Sequence, residues 1–273
     1  MTVASITAGG DFRVGDVLSR AWRLFTGNLL FFLAVPFVIY LVTFVSALVF
    51  GLIFVFAGIG TGSVGIVVVG VFLAVILILS LNLIGQGVLL LGAFQRLRGQ
   101  TIRVGVAVQR VLNRFLPLVG LGILGSLAVG VTTAVCVAIL SGIVSVAGGW
   151  AFVLTPIFFV PTTILFVMWA VVVPACIVEE FGPIGSMSRS AELTKGFRWK
   201  IFGIIVLLGI VLLIAYALQL ALTFASQALG TVFSFVWSVL WIAYFSCTLI
   251  MMYHDLRVAK EGVDTTQIAS VFD

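Results

Sequence analysis

Residues 24–95 read LFTGNLLFFLAVPFVIYLVTFVSALVFGLIFVFAGIGTGSVGIVVVGVFLAVILILSLNLIGQGVLLLGAFQ, 72 residues without one Asp, Glu, Lys or Arg. A helix rises about 1.5 Å per residue and a bilayer's hydrocarbon core is about 30 Å thick, so roughly 20 residues make one crossing. The block therefore holds at least two helices. The break between them is Gly58-Ile-Gly-Thr-Gly-Ser63, a run of small residues suited to a turn. Two further uncharged blocks follow the same plan. Phe115 to Val178 (64 residues) breaks at Ala147-Gly-Gly149, and Ile201 to His254 (54 residues) breaks at Ser226-Gln-Ala-Leu-Gly-Thr231. Six crossings are expected, at 29–57, 65–94, 117–146, 151–177, 201–225 and 232–253. Pro36, Pro156 and Pro161 fall within them, as transmembrane helices tolerate.

Composition agrees with lipid as the solvent. The 273 residues are 63% hydrophobic and 8% charged, with a mean hydropathy of +1.36. A soluble domain of this size has about 25% charged residues to cover its outside. Met1 to Asp11 lacks the basic start and short apolar core of a cleavable signal, so the chain is read as mature. Cys136, Cys176 and Cys247 are scattered through apolar stretches with no metal-ligand spacing, and read as small hydrophobes.

The net charge of +5 is placed for a membrane surface, not for nucleic acid. With six crossings, all 14 Lys and Arg residues fall on one side: Arg13, Arg20 and Arg23; Arg96, Arg98, Arg103, Arg110 and Arg114; Arg189, Lys195, Arg198 and Lys200; Arg257 and Lys260. Excess Lys and Arg mark the cytoplasmic side, which puts both termini there. An odd number of helices in the first block would separate the Arg96 to Arg114 cluster from the N-terminal arginines. The chain thus divides into a cytoplasmic N-terminus (1–28), a six-span bundle (29–253) and a cytoplasmic tail (254–273).

A unit repeats along that cytoplasmic side. Before the first span, Val14, Val17, Leu18, Ala21, Leu24 and Phe25 recur at helical spacing opposite Asp16, Ser19, Arg20 and Arg23, the pattern of an amphipathic helix lying in the interface. Val104, Val108, Val111, Leu112 and Phe115 form a similar stripe before the third span. Before the fifth, Ser188-Arg-Ser-Ala-Glu-Leu-Thr-Lys-Gly196 aligns with Ser19-Arg-Ala-Trp-Arg-Leu-Phe-Thr-Gly27 at Ser, Arg, Leu and Gly. Arg20, Arg110 and Arg189 are the equivalent positions, roughly 80 to 90 residues apart. The expected fold is all-α integral membrane: six transmembrane helices as three hairpins, each preceded by a cytoplasmic interfacial amphipathic helix. Arg20, Arg23, Arg110, Arg114, Arg189, Lys195 and Arg198 are candidates for contact with anionic lipid headgroups or a partner, each cation near such a surface contributing about 1 kcal/mol.

Few residues offer chemistry within the spans. None is charged, which weighs against a proton-driven transporter. Asn82 and Gln86 sit four apart on one helix face; they read as interhelical hydrogen-bonding groups or as the lining of a solute path. Gly122, Ser126, Gly130, Ala134, Ala138 and Gly142 place a small residue at every fourth or so position of the third span. That stripe is expected to pack against the chain's own bundle, with a homo-oligomer face as the other reading. His254 is the sole histidine, and no Walker loop, GxSxG or HExxH is present, so no metal and no cofactor are expected. Glu179 and Glu180 are adjacent and diverge on a helix. With Glu192, Asp255 and Arg257 they are expected to form a structural polar network, pairing with Arg189, Lys195, Arg198 or Arg257.

Four runs carry a resemblance: Val14-Gly-Asp-Val-Leu-Ser-Arg-Ala-Trp22, the Pro-to-Glu exit at 174–179, the Arg-Ser-x-x-Leu-Thr-x-Gly run at 189–196 and the Asp-Leu-Arg-x-x-x-Glu-Gly run at 255–262. Through them most of the chain resembles a bacterial family labelled the membrane domain of glycerophosphoryl diester phosphodiesterases. The label derives from proteins in which such a region adjoins a soluble phosphodiesterase domain. These 273 residues leave no room for that domain, so the resemblance implies a bacterial inner-membrane location without implying the activity. The expected function is a non-catalytic scaffold, accessory subunit or lipid-organising component with membrane lipids, a protein partner or a second copy as partners. The alternative is a transporter or channel for a small or lipidic solute, and a third reading is an enzyme acting on lipid headgroups through Glu179, Glu180, Asp255 or Glu261. A scaffold predicts no continuous cavity; a transporter predicts a polar cavity near Asn82 and Gln86; an enzyme predicts carboxylates converging on a pocket.

Overall fold

A computed structural model of the chain describes residues 12–262. The expectations for residues 1–11 (no cleavable signal) and 263–273 (the end of the tail) lie outside the described residues. Every regular element among the described residues is helical: α1 (Val14–Thr26), α2 (Leu29–Thr61), α3 (Val64–Leu97), α4 (Val104–Asn113), α5 (Phe115–Ala147), a 3₁₀ turn (Gly149–Leu154), α6 (Thr155–Met168), α7 (Val172–Val178), α8 (Pro183–Thr194), α9 (Arg198–Ala225) and α10 (Gln227–Glu261). Six of these, counting Thr155–Val178 as one, are long and apolar enough to cross a membrane. Their outer surfaces are apolar too: Phe44, Phe56, Phe72, Leu79, Leu213 and Phe224 are all exposed. In water such a surface would drive aggregation, whereas in lipid it is the solvated face. The protein is a multi-pass membrane protein.

The helices overrun the expected spans. α10 continues from Gln227 to Glu261 as 35 residues, about 52 Å, well beyond a hydrocarbon core of about 30 Å. Its last turns carry Asp255, Arg257, Lys260 and Glu261, whose charges belong outside that core. The fourth expected span, 151–177, is not one helix. It breaks at 169–171 between α6 and α7, where Val172 N–H donates to the Trp169 carbonyl (3.1 Å) and Ala170 N–H to the Val167 carbonyl (3.5 Å). The Met168 carbonyl takes side-chain donors instead, Ser190 Oγ at 2.9 Å and Thr194 Oγ1 at 3.3 Å. Backbone groups released inside a membrane protein need such substitutes. Pro36 and Pro161 lie inside α2 and α6, and Pro156 occupies the first turn of α6, where a missing N–H costs nothing.

The chain forms two compact units, and α1, α9 and α10 contribute to both. The first comprises residues 18–115 and 212–251. Within it α2 and α3 run antiparallel, joined through Gly62, whose φ of +64° is a left-handed cap. Glycines on α3 let α2 approach. A Cβ placed on Gly70, Gly85 or Gly92 would lie 2.1, 2.8 or 2.3 Å from Phe54, Ile39 or Phe31. Close approach through small residues is how helices pack where lipid removes the hydrophobic drive between them. The apolar side of α1 docks nearby: Trp22 and Phe25 meet the Tyr244 ring at 5.9 and 6.3 Å, and Tyr244 Oη donates to the Leu18 carbonyl at 3.4 Å.

The second unit comprises residues 12–17, 116–211 and 252–262 of the described chain. Phe12 packs on Phe197 at 5.5 Å, and Thr133 of α5 and Thr162 of α6 share a hydroxyl hydrogen bond of 3.2 Å. Within its unit the small-residue stripe of α5 meets no packed partner, contrary to the expectation that it packs against the chain's own bundle. Gly122, Ser126, Gly130, Ala134, Ala138 and Gly142 are all exposed, and a Cβ on Gly122, Gly130 or Gly142 would meet nothing within 4 Å. Every-fourth spacing keeps these residues on one face, but here larger neighbours such as Leu118, Leu121 and Leu140 are the buried ones.

Candidate functional site

Two polar assemblies stand out, one in each unit. The first is a cleft of about 460 Å³ among α2, α3, α9 and α10, within the range of ligand-binding pockets. On α10 the residues Phe233, Trp237, Trp241 and Phe245 recur every four positions. Their rings stack in series at centroid distances of 6.2, 6.0 and 6.1 Å with interplanar angles of 10°, 25° and 15°. Twelve residues of helix make that aromatic wall about 18 Å long. Trp237, Trp241 and Phe245 line the cleft, opposite Asn82 and Gln86 of α3 and Tyr40 of α2.

The cleft's hydrogen-bonding groups are incompletely used. Asn82 Nδ2 donates to the Ile78 carbonyl of its own helix at 2.8 Å, so this bond is intrahelical and does not cross to a neighbour. Ser238 Oγ likewise donates to the Ser234 carbonyl at 2.7 Å. Among the described residues no protein hydrogen bond engages Asn82 Oδ1, the Gln86 amide or the Tyr40 hydroxyl. In a hydrocarbon surround an unsatisfied amide costs several kcal/mol, so such a cleft favours an occupant that hydrogen-bonds. No charged side chain lines it.

The second assembly closes α7, α8 and α10 together. Glu179 ends α7, Arg189 projects from α8, and Tyr253, Arg257 and Glu261 lie one turn apart on α10. Arg189 Nε meets Glu179 Oε2 at 2.7 Å, and Arg189 Nη2 donates to Glu261 Oε1. Arg257 Nε meets Glu261 Oε2 at 3.0 Å and approaches Glu179 Oε1 at 3.7 Å. Four alternating charges thus form a ring. The Tyr253 hydroxyl donates to Glu179, the Arg257 guanidinium lies 5.9 Å from the Tyr253 ring, and Lys260 donates to the Glu192 carbonyl. Burial opposes the Arg189 charge, but hydrogen bonds to Glu179 and Glu261 outweigh it and raise its pKa above the ordinary arginine value. Both carboxylates are occupied as acceptors, which makes the ring a fastener.

The expected site residues separate accordingly. Glu179, Arg257 and Glu192 join the network, Glu192 through Arg189 at 3.7 Å. Asp255 is buried and lies 3.4 Å from His254 Nδ1. Glu180 is exposed beside the ring with φ of +62°, a strained conformation for a residue with a side chain. Arg189 is committed to the ring and not to headgroups. Arg20 is also unsuited to that role: it is 8% exposed and already engaged, because the buried side of α1 runs through Val17, Arg20, Ala21 and Leu24. Arg23, Arg110, Lys195 and Arg198 are exposed, and Arg114 is half-buried.

Sequence reasoning passed over the aromatic ladder and the structural part played by Tyr253 and Glu261. The ladder's signal was present as aromatics at 233, 237, 241 and 245, one helical face; Glu261 stands four residues after Arg257, the spacing of an intrahelical ion pair. Comparison with protein-family models, curated proteins and solved structures finds no match.

Proposed function

We propose that this protein is a non-catalytic, lipid-handling component of a bacterial inner membrane that holds an uncharged amphiphile in the cleft of its first unit. The observation carrying this reading is the combination of an aromatic wall with the Tyr40 hydroxyl, the Asn82 Oδ1 and the Gln86 amide in one uncharged cleft of about 460 Å³. Aromatic rings offer apolar area to a hydrocarbon or ring system, and the amides offer both donors and acceptors to a neutral polar group. A pure scaffold has no use for such a cleft. Of the carboxylates expected of a headgroup enzyme, Glu179 and Glu261 are held by arginines and a tyrosine, and Asp255 is buried beside His254. A carrier for a small or lipidic solute is the second reading, favoured by Asn82 lying near the middle of α3.

The finer architecture belongs to the same proposal. The six crossings form three hairpins, preceded by α1, α4 and α8 as interfacial helices on the cytoplasmic side, with both termini there. Support comes from the one-sided distribution of Lys and Arg and from the position of each short helix immediately before α2, α5 and α9. The runs at 189–196 and 255–262, which carry the resemblance to the phosphodiesterase membrane-domain family, supply Arg189, Arg257 and Glu261 to the charge ring.

The test is purification from native membranes in mild detergent, with mass spectrometry of retained lipids and proteins. The expected result is one enriched neutral lipid, lost in Asn82→Leu/Gln86→Leu while the protein stays folded. Bulk lipid composition in both samples would sink the proposal, and a stoichiometric protein partner in place of a lipid would return the accessory-subunit reading. A vesicle flux assay with the identified lipid separates carrier from holder.

A further inference from the structure

The second unit contains a different groove, of about 470 Å³, between α6 and the first turn of α9. Its wall on α6 is formed by Pro156, Val160, Thr163, Ile164 and Val167, about 16 Å of helix, with the Thr163 hydroxyl donating to the Phe159 carbonyl of its own helix at 2.9 Å. Opposite stand Trp199 and Phe202, and Arg198 supplies the one charge in the lining. Trp199 is 84% exposed. An indole so placed, flanked by Arg198 and Lys200, marks the boundary where hydrocarbon gives way to headgroups. The groove therefore offers an apolar channel on one side of that boundary and a cation at it. Lys195 and Lys200 add positive charge around Arg198, and the chain holds no Asp or Glu between Glu192 and Asp255.

We propose that this groove seats an acyl chain of an anionic phospholipid whose phosphate is bound by Arg198. The inference rests on the membrane embedding described above and not on the cleft of the first unit, so either can fail alone. Three features select this occupant. The α6 wall is apolar over a length suited to a hydrocarbon chain lying along the helix. The guanidinium matches phosphate oxygens bidentately, which a lysine does not. Among the described residues no carboxylate shares the lining with Arg198, so an anionic lipid gains more at this cation than a zwitterionic one.

The experiment is native mass spectrometry of the full chain in detergent with equimolar phosphatidylglycerol and phosphatidylcholine of identical chains. The wild type is expected to retain phosphatidylglycerol preferentially in its most tightly held lipid equivalent, by about fivefold, the effect of one cation at an anionic surface. Arg198→Gln should bring that ratio close to one, and Arg198→Lys should recover part of the preference. Ile164→Trp, which fills the groove and leaves Arg198 intact, should release the tightly held equivalent. Soluble glycerol phosphate should not compete, because it lacks the chain. Equal retention of both lipids, an unchanged ratio in Arg198→Gln, retention surviving Ile164→Trp, or competition by glycerol phosphate would each overturn the proposal. Size-exclusion profiles matching the wild type show that the variants are folded.

Discussion

Replacing Arg189 by Met should open the α7–α8–α10 junction while leaving the first unit closed. Arg189 bonds Glu179 and Glu261 at once, and the three side chains are 19%, 12% and 25% exposed. Breaking a buried pair by removing one partner costs about 3–5 kcal/mol. Here Arg257 still contacts both carboxylates, at 3.7 and 3.0 Å, and the Tyr253 hydroxyl still donates to Glu179. That compensation puts the expected cost at the lower end, about 3 kcal/mol, which raises the population of the opened junction roughly 100-fold. The cysteines provide the assay. Cys176 in α7 and Cys247 in α10 are both fully buried thiols outside any disulfide, Cys176 three residues from Glu179 and Cys247 in the other unit. Labelling by a thiol-reactive dye under native conditions should accelerate roughly 100-fold at Cys176 and stay near wild type at Cys247. A change of less than about threefold at Cys176 would refute the fastening argument. A parallel rise at Cys247 would instead show that the ring stabilises the whole molecule. Arg189→Met with Glu261→Gln should cost less than the sum of the two single changes, because they share a bond.

Glycine contacts distinguish the two small-residue faces. Gly70→Leu forces a side chain into Phe54 and should lower thermal stability by about 1–3 kcal/mol or more, whereas Gly122→Leu on the open face of α5 should stay within about 0.5 kcal/mol in a detergent melt. Removing the hydroxyls that satisfy the Met168 carbonyl, as Ser190→Ala/Thr194→Val, should cost about 1–3 kcal/mol. Faster proteolysis between α6 and α8 checks that the loss is local. At Glu180, whose φ is +62°, Glu180→Gly should be at least as stable as wild type and Glu180→Val less stable by over about 1 kcal/mol, read from the melting temperatures.

The membrane class was legible in residues 24–95 because lipid tolerates so few charges that their absence alone marks the crossing blocks. The break of the fourth crossing was not. Trp169-Ala-Val171 is as apolar as its surroundings, and the helix ends there because Ser190 and Thr194, more than 20 residues onward, supply the donors. The same two residues explain why α8 lacks a strong apolar stripe: its buried side is hydroxylated to face that carbonyl. Pairing Glu179 with Arg189 and Arg257 followed from opposite charge near one end of the bundle. Which arginine would be exposed did not, since Arg20 and Arg110 are equivalent by sequence spacing yet one is buried and the other exposed. The α5 stripe misled for a related reason: small residues permit close packing, but only a partner surface at the right distance makes use of it.

The charge ring has a consequence for how this protein responds to an energised membrane. A single elementary charge displaced across the full field changes its energy by about 2.3 kcal/mol per 100 mV. Glu179 and Glu261 cancel Arg189 and Arg257, and Glu192 with Lys260 adds one charge of each sign. Moved as a body, these six side chains carry no net charge, so a displacement along the membrane normal that keeps them together does no net work against the transmembrane field.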